Sequence, residues 1–246
     1  MRRALILGLI GLVFFIGFAL AHLPARAVFD GIARPAGLSA GLVQGPAWDA
    51  ALWRLDIGDT QLAEARAQLA PASLLTGTAR VDVQIIDPTV RGSGQVRASA
   101  GGIEILDAEA VIALERFGFA SALPPGQSAQ VSITTLSFDG QGRCENAEGR
   151  VTSAALISLG DGLGISLPLM EGELFCANEQ LGLELQGQNE SLALEGRLRF
   201  SQSAMDWTVS AQTVDAQVIQ ALSLLGFEQT SPGNFILDST QLAAES

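Results

Sequence analysis

The feature that most constrains the fold is a strict alternation of apolar and polar side chains between residues 181 and 200. Leu181, Leu183 and Leu185 occupy alternate positions, and the same period resumes after a turn at Gly187–Glu190. Because successive side chains of a strand point to opposite faces, this pattern predicts two antiparallel strands with one buried and one solvated face. Shorter stretches of the same period predict strands at 53–57, 81–86, 131–138 and 207–211. The chain is therefore expected to be mainly β.

A few short segments carry helix signals instead. The stretch 71–77 begins with proline and ends with glycine, which is typical of a single helical turn. Near the C-terminus, apolar residues recur at helical spacing between a candidate N-cap, Asp215, and a candidate C′ residue, Gly226. Residues 107–117 show weaker helical periodicity, and the glycine-rich stretch 160–164 is expected to be a loop between strands.

An uncharged run of 18 residues, Ala4 to Ala21, follows Arg2-Arg3 at the N-terminus. As a helix this run would span ~27 Å, about the thickness of the hydrocarbon core of a bilayer. Because basic residues favour the cytoplasmic side of a membrane span, the run predicts a transmembrane helix over residues 4–23, with residues 1–3 in the cytoplasm. The C-terminal part is then exported to the periplasm of a bacterial cell, anchored by a single pass in its inner membrane.

The alternative for this run is a cleaved signal peptide. Ala19-Leu20-Ala21 has the small-x-small form of a cleavage site. The length of the run exceeds the 7–15 residues of a usual signal-peptide core, which favours a retained anchor. Both alternatives place the rest of the chain outside the cytoplasm.

The exported part divides by composition into a linker and a body. Residues 24–46 contain glycines and prolines that suit a short link. Residues 47–246 form the β-rich periplasmic body, which a proline-rich break divides into two candidate lobes, 47–126 and 127–246.

The exported part is strongly acidic. Of the 14 basic residues, only Arg2 and Arg3 precede the run, whereas all 26 acidic residues follow it. The 12 basic and 26 acidic residues after the run give a formal charge of −14. Such a surface repels phosphate backbones, so nucleic acid is not expected as a partner.

The two cysteines, Cys144 and Cys176, lie in strand-like segments of the exported part. In an oxidising periplasm an even pair at this separation predicts a disulfide. The alternative is two unpaired buried thiols. A redox-active pair is not expected, because the sequence has no C-x-x-C motif and no neighbouring His or Lys that would stabilise a thiolate.

The sequence supplies few residues for catalysis. The one histidine, His22, lies at the membrane boundary and cannot join a catalytic triad in the body. The chain has no lysine, which excludes a P-loop and a Schiff base. Paired carboxylates for glycoside hydrolysis are not excluded, but three tryptophans and no tyrosine are a poor stock of aromatic residues for binding sugars. Calcium is possible among 26 acidic residues, but the Asp-x-Asp-x-Asp-Gly loop typical of its sites is absent. We therefore expect no catalytic residues, no cofactor and no metal ion.

Five motifs of glycine, proline and apolar residues follow the apolar run in a fixed order. They are Gly45-x-x-Trp48, Trp53-x-Leu55, Leu69-x-Pro71-x-x-Leu74-Leu75-x-Gly77, Leu222-x-x-Leu225-Gly226-Phe227 and Gly233-x-Phe235. Together with a strand that begins at Gly172 and carries Cys176, this order resembles the type II secretion system protein N family. The resemblance is clearest from Gly172 to the C-terminus, and residues 101–126 match only loosely.

The resemblance implies a non-catalytic inner-membrane component of the machine that exports folded proteins from the periplasm. It implies a scaffold that contacts other inner-membrane platform proteins of the secretion system. The body is also similar in style to AsmA-like periplasmic proteins, which implies an elongated, curved antiparallel sheet, an open groove or half-barrel, with a few short helices. This second similarity supplies the alternative function, a periplasmic groove that binds lipid and serves lipid transport or outer-membrane homeostasis.

Overall fold

The computed structural model of the chain describes residue 18 and residues 22–30, 38–57, 60–117, 124–200 and 205–238. The chain divides into two compact units, residues 1–97 and 98–246. The prediction of a mainly β protein is confirmed, because the described residues form fourteen strands and only short helices. The domain bounds predicted from the sequence, including a division after residue 126, stay predictions.

Most residues of the predicted anchor, 4–23, lie outside the part of the chain that the structure describes. Ala4 and Ala21 both lie outside the described part of the chain. Within that part, every helix is too short or too polar to span a bilayer.

The first unit is an antiparallel sheet whose strands follow the order of the sequence. Its elements are helix α1 (Ala25–Val28), β1 (Leu38–Gln44), β2 (Ala50–Ile57), β3 (Thr60–Leu69), a 3₁₀ helix (Pro71–Thr76), β4 (Ala79–Ile86) and β5 (Val90–Ser99), which ends just past the unit boundary. Strand β1 lies inside the range 24–46 that the composition suggests as a linker.

One face of this sheet carries the core of the first unit. Leu55, Leu62 and Ala65 form a buried cluster with Phe29, which follows α1. The segment that precedes β1 is therefore packed onto the sheet through an aromatic side chain. Burial of a side chain of this size stabilises a fold by roughly 1.5–3 kcal/mol.

The predicted helical turn is confirmed as the 3₁₀ helix Pro71–Thr76, which connects β3 to β4. Proline occupies its first position, and Gly77 ends it with a φ of +77°. That left-handed conformation is open to glycine without a steric penalty. The turn is therefore specified locally by the two residues that the sequence pattern singles out.

The second unit is a larger antiparallel sheet in which only the last two strands exchange places, so that β13 lies at its edge. Its strands are β6 (Gly102–Ala113), β7 (Ser128–Asp139), β8 (Cys144–Ser153), β9 (Met170–Ala177), β10 (Gln180–Gln188), β11 (Ala193–Phe200), β12 (Met205–Gln212), β13 (Glu228–Ser231) and β14 (Asn234–Asp238). Its helices are a 3₁₀ helix (Leu114–Phe117), α2 (Ala155–Leu163) and α3 (Ala216–Leu224).

The strongest sequence pattern is confirmed by the pairing of β10 with β11. Leu181 pairs with Phe200, and Leu185 pairs with Gly196, in an antiparallel register without a shift. The prediction of helical character over 107–117 is wrong for residues 107–113, because β6 extends to Ala113, whereas residues 114–117 form the 3₁₀ helix Leu114–Phe117. Asp107, with a φ of +46°, interrupts β6 and changes the phase of the alternation, which hides the period of two.

The prediction of a loop over 160–164 is also wrong. Helix α2 includes residues 160–163 and ends at Gly164, which has a φ of +68°. The N–H of Gly164 reaches the carbonyls of Asp161 and Gly160, as at many helix ends. A Cβ on Gly160 would lie 2.5 Å from the carbonyl oxygen of Ile165, so this glycine permits a close approach of the returning chain. The glycines here shape a helix end and do not break the helix.

Helix α3 agrees with the prediction at both ends. The Asp215 carboxylate accepts hydrogen bonds from the N–H groups of Gln217 and Val218, which makes it the N-cap. Gly226 follows the helix with a φ of +87°. Val218 and Leu222 pack onto the sheet in the core of the second unit, together with Leu192, Leu194, Ala211 and Phe235.

Candidate interaction surfaces

A line of irregular residues crosses the first three strands of the first unit. Ala40 pairs with Leu55 and Leu42 pairs with Trp53, which leaves Gly41 and Arg54 between the two pairs. Arg54 has a φ of +52°, a left-handed conformation that is rare for a residue with a long side chain. At this line the side chains that face the core switch from one set of alternate positions to the other; we call this a change of phase.

The line continues into β3 and ends at a buried carboxylate. Leu62 pairs with Leu55 and Glu64 with Trp53, so Ala63 also lies between two pairs. The Ala63 N–H donates to Oδ2 of Asp87 at 2.7 Å. The Asp87 carboxylate thus accepts the hydrogen bond that a backbone carbonyl of β4 would accept if this strand continued beyond Ile86.

Asp87 is only 8% exposed and is held by further donors. Its Oδ1 accepts from the backbone N–H of Thr89 at 2.8 Å and from the Thr89 hydroxyl at 2.7 Å. A buried carboxylate is tolerated only when donors replace its hydration, as they do here. Sequence reasoning missed this residue as a structural centre. The Asp87-Pro88-Thr89 triplet, which favours an Asx turn, was the available signal.

The change of phase brings apolar side chains to the outer face near β1. Cross-strand partners share a face, so Leu42, Trp53, Glu64 and Ile86 form one row opposite the buried cluster; we call it the outer row. Leu42, Trp53 and Ile86 are all more than a third exposed. Glu64 is the one charged member, and its carboxylate lies 3.0 Å from Nε of Arg66. The outer row therefore presents two adjacent apolar side chains at the β1 edge.

The two terminal edge strands differ in their protection against further pairing. Strand β13 has four residues, all exposed, with a register shift between Gln229 and Ser231 and a proline directly after it. Short, irregular and charged edges resist the addition of another strand. Strand β1 has seven residues and no charge, and among the described strands it pairs only with β2. The β1 edge lacks the features that protect β13.

The sheet of the second unit has one apolar face. A row of cross-strand partners crosses seven strands without a polar side chain, through Val131, Val151, Gly172, Leu185, Gly196, Val209 and Leu237. Helix α3 covers the neighbouring part of this face, where Leu194, Ala211 and Phe235 are buried. A parallel row, Leu183, Leu198 and Trp207, is half-buried and belongs to neither core cluster. The predicted curvature and groove stay predictions.

The opposite face of the same sheet is charged. Glu173 pairs with Arg150 and with Glu184, and Glu184 pairs with Arg197. Nη2 of Arg197 lies 2.6 Å from Oε1 of Glu184. This exposed ion pair contributes little to stability, since solvent screens it. The charged side chains do make this face a solvated one.

Cys144 and Cys176 form a disulfide between the start of β8 and the end of β9. Their Cα atoms are 5.6 Å apart. The N–H of Cys144 also donates to the carbonyl oxygen of Glu179 at 2.8 Å, so backbone and covalent links lie side by side. The disulfide between these two cysteines that the sequence predicts is present in the structure.

An arginine beside the disulfide joins two hairpin turns. Nε of Arg143 lies 2.6 Å from Oδ2 of Asp139, and Nη1 lies 3.1 Å from Oε1 of Glu179. The hydrogen bond from the Arg143 side chain, with further hydrogen bonds from the backbone N–H groups of Arg143 and Gln141, holds the pKa of Asp139 below its ordinary value of 3.8. The same carboxylate raises the pKa of Arg143. This end of the second unit is thus fixed by ion pairs as well as by the disulfide.

The described residues bring together no set of three or more His, Cys, Asp and Glu side chains that would hold a metal ion. His22 is exposed, and its ring stacks on Phe18 with centroids 4.2 Å apart. Its Nδ1 lies 3.0 Å from the Phe18 carbonyl oxygen. This histidine makes local contacts beside the predicted anchor.

Comparison with known proteins gives one match. The family described as type II secretion system (T2SS), protein N, matches residues 36–237, from just before β1 into β14. No curated protein and no solved structure matches the chain.

Proposed function

The chain belongs to the type II secretion system protein N family, and from this premise we propose that it is a non-catalytic scaffold of that secretion system at the inner membrane. Residues 4–23 anchor it, and the chain after residue 23 lies in the periplasm, where it contacts other platform proteins. The disulfide supports this placement, because disulfides persist in the periplasm and are rare in the cytosol.

The observation that carries the proposal is the β1 edge. An edge strand offers a row of unpaired N–H and C=O groups, and an extended segment of a partner pairs with them by β-augmentation. Strand β13 is short, charged and shifted in register, whereas β1 is longer, carries no charge and pairs with β2 without a register shift. We therefore assign the partner contact to β1.

The outer row supplies the specificity of this contact. Leu42 lies on β1 itself and Trp53 lies directly opposite it on β2. An added strand would place its own side chains beside Leu42, within reach of the Trp53 ring. The partner segment is expected to be extended and to carry an apolar residue at this position.

The experiment replaces the chromosomal gene by a variant, Leu42→Lys. Leu42 is 44% exposed, so the charge is tolerated in the free protein, whereas an added strand would have to bury it. We expect roughly ten-fold weaker recovery of platform proteins with the variant, which corresponds to about 1.4 kcal/mol, and a loss of secreted enzymes from the medium.

The matched control is Thr230→Lys on the protected edge β13, which is expected to secrete normally. Normal secretion with Leu42→Lys, or equal defects in both variants, would contradict the assignment to β1. The lipid alternative is tested by deleting the gene and measuring outer-membrane lipid asymmetry in the same cells. Unchanged secretion with disturbed asymmetry would favour lipid transport and contradict the scaffold.

A further inference from the structure

Two leucines are strongly exposed in the 3₁₀ turn between β3 and β4. Leu75 is 90% exposed and Leu74 is 46% exposed. The turn and its flanks, residues 70–78, contain no charged side chain. An uncharged protrusion that ends in two leucines favours an apolar medium over water.

This turn is held in shape by its own hydrogen bonds. The Ser73 hydroxyl donates to the carbonyl oxygen of Ala70 at 2.6 Å and accepts from the N–H of Arg80 at 3.0 Å. The Thr76 hydroxyl donates to the carbonyl oxygen of Ser73 at 2.7 Å. The leucines are therefore presented by an ordered turn, so that placing them in another medium requires little further loss of chain entropy.

The segment that follows the apolar run is hydrogen-bonded to the turn between β1 and β2. The N–H of Ala25 donates to the carbonyl oxygen of Gly45 at 3.0 Å, and the N–H of Ala47 donates to that of Leu23 at 2.7 Å. These bonds tie the residues just after Ala21 to the β1–β2 turn.

The β1–β2 turn in turn contacts the strand that leads into the leucine turn. Nε2 of Gln68, near the end of β3, lies 3.4 Å from Oδ1 of Asp49. Because Ala50 at the start of β2 pairs with Ala67 near the end of β3, the leucine turn and the β1–β2 turn lie at the same end of the sheet.

We propose that Leu74 and Leu75 enter the lipid bilayer at its periplasmic interface and form a second membrane contact beside the anchor. This contact rests on the membrane placement proposed above. Only one residue, His22, separates the apolar run from the hydrogen-bonded Leu23, which leaves the body little freedom to stand away from the bilayer. Trp48, in the β1–β2 turn, lies at the same end, and tryptophan is enriched at membrane–water interfaces.

The surroundings of the leucines suit a lipid surface. The acidic charge of the chain would oppose the approach of most of its surface to anionic headgroups. The leucine turn has no acidic residue, and the exposed Arg80 follows it directly. The leucine turn itself thus meets little electrostatic opposition, and the acidic residue at this end, Asp49, lies in the β1–β2 turn with its carboxylate 3.4 Å from Nε2 of Gln68.

The experiment uses the full chain reconstituted in phosphatidylethanolamine–phosphatidylglycerol vesicles. Leu75→Cys is labelled with an environment-sensitive dye, and mass mapping verifies that the Cys144–Cys176 disulfide is intact. We expect a shift of the emission to shorter wavelength and strong quenching by lipids that carry a quencher near the headgroup.

The matched control is Ile57→Cys, at the far end of β2. Ile57 is an exposed apolar residue of the same unit, and β2 places it roughly 20 Å or more from the β1–β2 turn. Its label is expected to report water. Equal quenching at both positions, or a water-like signal at position 75, would overturn the contact.

A second pair of measurements separates this contact from the anchor. The vesicles are extracted with carbonate. Release of the chain from the vesicles would overturn the anchor itself, and with it both proposals. Retention of the chain together with a water-exposed position 75 would overturn the leucine contact alone. With Leu74→Ser and Leu75→Ser combined, we expect quenching of a label on Ala72→Cys, at an exposed position of the same turn, to fall roughly ten-fold while the chain stays in the membrane.

Discussion

Asp87 and Ala63 are 24 residues apart in sequence, yet the Asp87 carboxylate accepts the Ala63 backbone N–H at 2.7 Å. This bond ends the line of irregular residues that begins at Gly41 and Arg54. It joins the β4–β5 turn to the middle of β3. The buried Asp87 side chain therefore lies at the end of the line where three strands change phase, and the same line is flanked by Trp53 of the outer row.

Replacement of Asp87 by alanine is expected to destabilise the first unit by about 1–3 kcal/mol, because it removes the acceptor for Ala63 and for Thr89. Urea unfolding of the detergent-solubilised chain measures this change. Asp82→Ala is the matched control, since Asp82 is exposed and accepts from Gln95. Equal losses in both variants would contradict a special role for Asp87.

The disulfide is expected to stabilise the second unit by about 3–4 kcal/mol, because it closes a loop in the unfolded chain between residues 32 apart. Replacing Cys144 and Cys176 together by alanine should lower the unfolding free energy by this amount. Mass mapping without reductant should find the two residues linked. Two free thiols in protein purified from the periplasm would contradict the bond.

The pairing of Arg143 with Asp139 predicts a dependence of stability on pH. The folded state lowers the pKa of Asp139 below 3.8, so the unfolded state binds its proton more readily. The stabilisation is therefore complete above the unfolded-state pKa and is lost as the pH falls through the lower folded-state pKa. Arg143→Gln should return the Asp139 titration, followed by NMR, towards its ordinary value.

The control for that titration is Arg197→Gln, which removes a cation of another exposed ion pair. It should leave the Asp139 titration unchanged. An identical titration in the wild-type chain and in Arg143→Gln would show that the arginine does not stabilise the Asp139 anion.

Gly172 is expected to resist substitution because the neighbouring strand lies over it. A Cβ at this position would lie 2.6 Å from Cδ2 of Leu185 and 2.9 Å from the carbonyl oxygen of Glu184. Gly172→Ala should cost about 1–3 kcal/mol by overpacking. Gly162→Ala in α2 is the control, since its Cβ would meet nothing within 4 Å and alanine favours the helix, so thermal unfolding should show no loss.

The sequence predicts those elements whose signals are local. The alternation of leucines specifies β10 and β11 because their pairing has no shift, and Asp215 with Gly226 specifies α3 because both act on adjacent backbone groups. The prediction of helix fails over residues 107–113 because a left-handed residue, Asp107, interrupts β6. The phase change of the first unit also escapes prediction. It involves a left-handed residue, Arg54, and a carboxylate from a turn that is distant in sequence.

The unequal edges also set how many partner strands the protein accepts. If each edge strand accepted another chain, copies would join head to tail into filaments of no fixed length. With β13 protected and β1 paired on one side only among the described strands, these strands offer one edge for strand addition, a valency of one. If β1 accepts a partner strand as proposed, such a molecule ends an assembly and does not extend it.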